Sequence, residues 1–331
     1  EGIVYGERKF FSQAVGELIE DGRFRIEVTG VKGKTGFCCL LAHILSTAGK
    51  KVLVQTSRGR GEWTDGELSH EEAVSIAPPS MLTLPEGDHD AVICEVSLGG
   101  SGKADISCIT NLMEDYPIAA GTRKASEGKM SILNGKINIV PREEVEFWKS
   151  YGTGKLIGYG GRIAVIGKPS LGDPLRIRVD YGNGFETCLK GSYLALEYLY
   201  AAEMALEVCD AMDIPESSVE LGLSSFKGVP GRGEVSFSEG RWKVTERNPG
   251  ISVRSVERTL AILSKMGSLK GAVAVLDPVN RKVCCKMDQK GIERVAAGYG
   301  VSMTVTDASG RMPSLPESAG TLILFVKEGY T

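Results

Sequence analysis

The sequence predicts an α/β protein in two parts. A larger domain over 1–230 would carry a phosphate-binding loop, a mostly parallel sheet and an antiparallel subsheet; a smaller α/β domain would follow over 231–331. Three observations predict this. Short apolar runs alternate with helix-length runs, the pattern of parallel strands joined by crossover helices. The stretch Ile26-Glu27-Val28-Thr29-Gly30-Val31-Lys32-Gly33-Lys34-Thr35 passes from an apolar strand through a glycine-rich turn into the apolar run Phe37 to Leu45. The Gly/Pro-rich stretch from Lys227 to Gly233 supplies the break between the parts.

The glycine-rich turn organises the chain. A strand–loop–helix of this kind aims backbone N–H groups and a helix N-terminus at one anion. Gly30 and Gly33 permit the backbone conformations of a close phosphate approach. Lys34 would neutralise β/γ-phosphate charge, and the Thr35 hydroxyl would hold Mg2+. Val28 stands where the common phosphate loop has its first glycine, so the loop is a shorter G-x-x-G-K-T. The competing reading is a chance glycine turn before a helix. The flanking strand and helix favour a nucleoside triphosphate site.

Composition narrows the classes. The 331 residues carry a formal net charge of −3, which argues against a nucleic-acid binder with a broad basic face. No segment approaches a membrane span, and the first residues lack a signal peptide's apolar core, so a cytoplasmic protein is expected. Of 8 cysteines, Cys38-Cys39 and Cys284-Cys285 are adjacent pairs, while Cys94, Cys108, Cys188 and Cys209 sit in apolar runs. With no C-x-x-C and 3 histidines, buried free thiols are expected in preference to zinc or disulfides.

Along the chain, Gly6 to Glu20 reads as an amphipathic lead-in helix with Phe10, Phe11, Val15, Leu18 and Ile19 on one side. After the Phe37–Thr47 helix, Lys51–Gln55, Asp90–Val96 and Ala104–Thr110 read as buried strands. The loop from Thr56 to Glu62 falls where α/β sheets open to ligands. Between Asn134 and Leu189, runs at 155–157, 162–166, 175–181 and 185–189 read as an antiparallel subsheet, with a hairpin tip at Tyr181–Phe185. Helices follow over 192–212 and 217–226. The C-terminal part alternates strands at 234–238, 241–245, 271–276, 301–306 and 321–326 with helices near 253–266 and 288–298.

Glu95 ends a buried strand at the sheet edge that should face the phosphate loop. A carboxylate there can complete a Mg2+ shell; the alternative is a solvated strand-end acid. Thr110-Asn111 ends another strand, with Asp115 close behind. Arg123, Lys124 and Lys129 read as one helix, whose charges equally suit a solvated face.

In this order, with Leu189-Lys190-Gly191 before a long Ala-rich helix, Phe226-x-Gly228-Val229-x-Gly231-Arg232-x-Glu234, and Asn248-Pro249, the features resemble the Mur ligase family of ATP-dependent ligases. The resemblance implies a Mur-ligase-like central domain and a Rossmann-like C-terminal domain. It implies ATP and Mg2+ as cofactors, and a substrate carboxylate activated as an acyl phosphate before a nucleophile attacks. Carried over by position, Gly30, Lys32, Gly33 and Lys34 hold phosphate, with Lys34 on the transferred group and Thr35 and Glu95 on Mg2+. Lys129 falls where many members have a carbamylated lysine that helps hold a second Mg2+. Arg232 would reach ATP from a hinge, and Arg247 and Asn248 would lie beside the nucleotide. Closure of the C-terminal domain about 228–233 would exclude water.

The departures concern the base and the substrate. The family's Asp-His reads Asp115-Tyr116, its His-Asn reads Tyr193-Leu194, and an adenine-contacting Asn reads Glu197; Glu246 stands near the place of a missing ribose-side Asp. With the loop beginning at Gly30, no N-terminal domain of the kind that holds a UDP-sugar is expected. A short, divergent member implies another substrate, a flat small-molecule polycarboxylate such as a nickel tetrapyrrole, its metal carried by the macrocycle. Arg58, Arg60, Arg123 and Lys124 are candidates to pair with its carboxylates, alongside Asn111 and Asp115; solvated arginines are the equal alternative. A monomer or homodimer is expected, with no nucleic-acid or membrane partner. Two other readings stay open: an amide-forming ligase on a peptide or polyglutamate, and a nucleotide-dependent regulatory switch.

Overall fold

The computed structural model describes residues 11–278, 287–306 and 320–327. They divide into two compact units, one running to residue 160 together with 204–214 and one of 161–203 with the described residues from 215 onward. Phe10 and the Cys284-Cys285 pair lie outside the described residues.

The first unit opens with helix α1 (Phe11–Glu17), strand β1 (Phe24–Thr29) and helix α2 (Lys34–Thr47). Next come β2 (Val52–Thr56), β3 (Gly59–Thr64), β4 (Glu67–Glu72), β5 (Ala91–Glu95) and β6 (Ile106–Ile109). A small hairpin of β7 (Pro117–Ile118) and β8 (Arg123–Lys124) precedes α3 (Ala125–Lys129), β9 (Ile137–Pro141), α4 (Val145–Trp148) and β10 (Lys155–Tyr159). One sheet in the order β10-β9-β6-β1-β5-β2-β3-β4 gathers eight of these strands. Its members from β10 to β2 are parallel, and β3 and β4 extend it antiparallel.

Central position explains why β2, β5 and β6 are largely apolar: nearly every residue is buried, as in parallel strands covered on both faces, whereas the equally buried β1 alternates Arg25 and Glu27 with its apolar residues. Helix α2 starts after Gly33, whose φ of 88° only glycine adopts without strain, and ends at Ala48 with Gly49 left-handed behind it.

The second unit holds a three-stranded antiparallel sheet of β11 (Ile163–Val165), β12 (Leu175–Val179) and β13 (Phe185–Leu189). In β12 buried and exposed residues alternate strictly, the mark of a sheet with one covered face. Helix α5 (Ala195–Ala211) leaves this unit after Glu203 and ends within the first. Helix α6 (Glu216–Ser225) precedes a five-stranded sheet built from β14 (Arg232–Ser238), β15 (Arg241–Asn248), β16 (Val273–Asp277), β17 (Ser302–Val305) and β18 (Thr321–Lys327). Its order is β14-β15-β18-β16-β17, parallel except for the β14–β15 hairpin. Helices α7 (Val253–Lys265) and α8 (Gln289–Gly298) bury Val256, Leu260, Leu263 and Ile292 in one core with Val244, Ala274 and Ile323.

Several expectations need correction. The Thr56–Glu62 segment is not an open loop: it turns at Ser57-Arg58 and returns as β3. Arg123 and Lys124 do not share a helix with Lys129; they form β8, and only Lys129 lies in α3. In the lead-in helix Val15 and Ile19 are buried, but Phe11 and Leu18 are 67% and 68% exposed. Gly16 decides that face, because a Cβ there would lie 1.9 Å from the Ser101 carbonyl oxygen, so Ser12, Val15 and Gly16 turn inward together. Cys188 is exposed on the outer face of β13, whereas Cys38, Cys39, Cys94, Cys108 and Cys209 are buried and form no disulfide.

Candidate nucleotide and metal site

Sheet register assembles the site. β5 lies beside β1 with Val28 opposite Glu95, so the strand-end carboxylate arrives next to the turn that begins at Gly30. β2 lies on the other side of β5, which brings Ser57 to the same edge.

Lys34 is the first residue of α2; its Nζ donates to the Gly30 carbonyl at 3.1 Å and lies 3.9 Å from Glu95 Oε1. The Thr35 hydroxyl donates to Glu95 Oε2 at 2.7 Å and sits 3.0 Å from Ser57 Oγ. The Ser57 backbone N–H donates to the same Glu95 oxygen at 3.0 Å. Glu95 is 3% exposed, so it is a desolvated carboxylate held by donors from the first turn of α2 and from the β2–β3 turn. Two hydroxyl oxygens and one carboxylate form an all-oxygen donor set, which fits a hard divalent cation such as Mg2+. Helix geometry leaves the first N–H groups of α2 without carbonyl partners in the helix, aimed at the anion such a cation would accompany.

Lys129 is fully buried at the end of α3, and its Nζ donates to the Ser97 carbonyl at 2.9 Å. Burial pushes its pKa down to about 7, the positive charge of Lys34 adds to the drop, and Glu95 and Asp115 oppose it. The amine is therefore poised to be largely neutral just above pH 7. Asp115 accepts from the Ser126 N–H at 2.8 Å and from its hydroxyl at 2.9 Å, which tethers α3.

Asn111 is turned toward the phosphate loop: its Oδ1 accepts from the Lys32 N–H at 3.3 Å and its Nδ2 donates to the Lys32 carbonyl at 2.9 Å. Gly30, at φ 137°, serves packing more than phosphate approach, since a Cβ there would lie 2.0 Å from Thr110 Oγ1. Arg58 is half-buried in the β2–β3 turn. Arg60 is buried on β3, where its guanidinium donates to Glu72 at 2.6 Å and to Thr83 at 3.1 Å. Its charge is already matched inside the sheet, which removes the reason for assigning it to a substrate carboxylate. Arg123 and Lys124 are exposed, and Arg123 lines an open cleft of about 360 Å³ with Thr122, Glu127 and Met130.

In the second unit Arg232, Arg247 and Asn248 lie together at one end of the β14–β15 hairpin. Arg232 Nη1 donates to the Arg247 carbonyl, and Asn248 Nδ2 donates to Glu246 Oε2 at 3.3 Å. Ser57 and the Ser97 carbonyl are the site groups that sequence reasoning missed. Ser57 lies in the Thr56–Glu62 segment, where the flanking arginines carry the stronger local signal.

No family model matches the chain. The chain is 28% identical over 302 residues to the coenzyme F(430) synthetase of Methanosarcina acetivorans, covering 80% of this chain and 63% of that protein. It is 25% identical over 257 residues to the coenzyme F(430) synthetase of Methanocaldococcus jannaschii, covering 74% and 58%. The chain thus spans less than two thirds of the length of these curated relatives. Among solved structures, a bifunctional folylpolyglutamate synthase/dihydrofolate synthase with Mn, AMPPNP and L-glutamate bound matches with TM-score 0.66 at 16% identity, covering 98% of this chain and 92% of that one. The MurF ligase of Thermotoga maritima in complex with ADP matches with TM-score 0.64 at 16% identity, covering 95% and 78%. The fold is Mur-ligase-like. Mostly parallel strands with antiparallel additions, expected from the residue pattern, are its architecture.

Proposed function

We propose that this chain is an ATP-dependent ligase that activates a substrate carboxylate as an acyl phosphate. The observation that carries the reading is the buried Lys34–Thr35–Ser57–Glu95 constellation at the start of α2. It joins an ammonium for the transferred phosphoryl group to an oxygen donor set for a divalent cation, and the ligases named above share the fold. Thr35 and Glu95 would hold Mg2+, which when bound offsets charge on the β- and γ-phosphates. Lys34 would orient the γ-phosphoryl group, and the N–H groups of the first α2 turn would receive its oxygens. The substrate carboxylate attacks phosphorus in line, the bond to ADP breaks, and phosphate later leaves the acyl carbon as the nucleophile bonds to it. A largely neutral Lys129 is the form of the amine that reacts with carbon dioxide, in keeping with the carbamylation that the family resemblance implies.

The similarity to two coenzyme F(430) synthetases supports a finer reading: the substrate is a nickel tetrapyrrole seco-acid, and a carbon nucleophile closes a carbocyclic ring with release of ADP and phosphate. Arg123 and Lys124, exposed beside an open cleft, suit a polycarboxylate. We extend the proposal to a cytoplasmic protein whose nucleotide also contacts Arg232, Arg247 and Asn248, with the domains divided near 230. Amide formation on a peptide or polyglutamate is the alternative that the folylpolyglutamate synthase likeness favours. ADP release measured with and without each carboxylate tests the proposal. Release that needs the tetrapyrrole supports it, release that needs an amino acid as well favours amide formation, and release indifferent to every carboxylate favours a nucleotide switch.

A further inference from the structure

Asn111 follows β6 and bonds the phosphate loop's backbone with both its main chain and its side chain, while its Oδ1 also accepts from the Met113 N–H at 3.4 Å. Its carbonyl accepts from the Val31 N–H at 3.1 Å, its Oδ1 accepts from the Lys32 N–H at 3.3 Å, and its Nδ2 donates to the Lys32 carbonyl at 2.9 Å. One residue earlier, the Thr110 N–H donates to the Thr29 carbonyl at 2.9 Å. Thr110 also packs where Gly30 has no side chain. The Thr110 carbonyl is in turn held by the hydroxyl of Tyr159, itself buried at the end of β10. The short loop is thus laced to the end of a neighbouring strand along its first three residues.

This lacing changes what the loop offers a ligand. The N–H groups of Val31 and Lys32 are bonded within the protein, so a phosphate must be received by the first turn of α2 and by the Lys34 ammonium. Held in this way, the loop needs little reordering when phosphate arrives, which lowers the entropic cost of binding.

We propose that Asn111 is a positioning residue for the phosphate loop, serving the polyphosphate end of a nucleotide rather than a substrate carboxylate. The inference deepens the proposed function and rests on its nucleotide site, although not on the identity of the carboxylate.

Asn111→Ala and Asn111→Asp test it. In Asn111→Asp the Lys32 N–H keeps an acceptor while the Lys32 carbonyl loses its donor. ADP with Mg2+ is titrated calorimetrically into each full chain, and melting temperature and amide exchange at Lys32 are followed alongside. We expect a melting temperature within a few degrees of the parent, exchange at Lys32 at least tenfold faster in the Ala variant and less so in the Asp variant, and ADP affinity about tenfold weaker in both. In turnover assays KM for ATP rises and KM for the carboxylate stays. Unchanged ADP affinity in both variants overturns the proposal, as does a raised carboxylate KM with ADP affinity intact. A parent chain that binds ADP through Asn111 but ligates nothing would refute the function while upholding this inference; one that binds no ADP refutes both.

Discussion

Replacing Lys129 by methionine removes an ammonium from a fully buried position while keeping the unbranched stem. In the folded chain the amine titrates near 7, against 10.5 for an ordinary lysine. Below pH 7 the group is charged in both folded and unfolded chains, so folding must bury a charge. Between 7 and 10.5 the folded chain has released the proton and the unfolded chain still holds it. Stability therefore rises with pH across that window, by about 1.4 kcal/mol per unit. The full gap of 3.5 units corresponds to roughly 5 kcal/mol, and loss of the hydrogen bond to the Ser97 carbonyl returns about 1 kcal/mol. Lys129→Met should then be more stable than the parent at pH 6, by roughly 2–4 kcal/mol. That advantage should shrink by about 2.7 kcal/mol by pH 9. Urea unfolding of both proteins at pH 6, 7, 8 and 9, in buffers freed of carbon dioxide, reads the difference directly, because every other titrating group cancels. A parent as stable as the variant at pH 6, or a difference that does not change with pH, would refute the reasoning.

Lys34→Ala and Glu95→Gln should each abolish carboxylate-dependent ADP release while leaving the circular dichroism spectrum unchanged; near-normal turnover in either variant would remove the proposed site. Arg60→Ala should act on stability and not on substrate. Lost charged hydrogen bonds to Glu72 and lost stem packing should lower urea stability by about 2–3 kcal/mol with KM for any carboxylate unchanged. A selective rise in that KM would return Arg60 to the substrate side.

The centre of the site was legible because its signals are local. Gly33-Lys34-Thr35 at a strand-to-helix junction places an ammonium and a hydroxyl at the first turn of α2 by chain geometry alone. Glu95 was legible for a related reason, since an acid closing a buried apolar run has to emerge at a strand end. The contacts of Ser57 and Asn111 are not legible in the sequence, because they depend on which strands are neighbours, and nothing local states that β5 separates β2 from β1 or that β6 flanks β1 on the other side. The β3–β4 hairpin carries no strand signal in the sequence because Gly59-Arg60-Gly61-Glu62 lacks apolar alternation; its buried Arg60 is balanced by Glu72, more than ten residues along the chain. The inward face of α1 was set by the glycine at 16, a residue that carries no hydrophobic signal. Beyond the fold, the alternation of strands and helices could not select the carboxylate.

The most direct test of the central claim is mass spectrometry of the nickel tetrapyrrole seco-acid incubated with this chain, ATP and Mg2+, with ADP quantified in the same samples. A product lighter by one water, formed in step with ADP and absent when ATP is omitted, is expected. An unchanged tetrapyrrole mass with ADP still released, or a product heavier by an added amino acid, would contradict ring closure as the reaction of this protein.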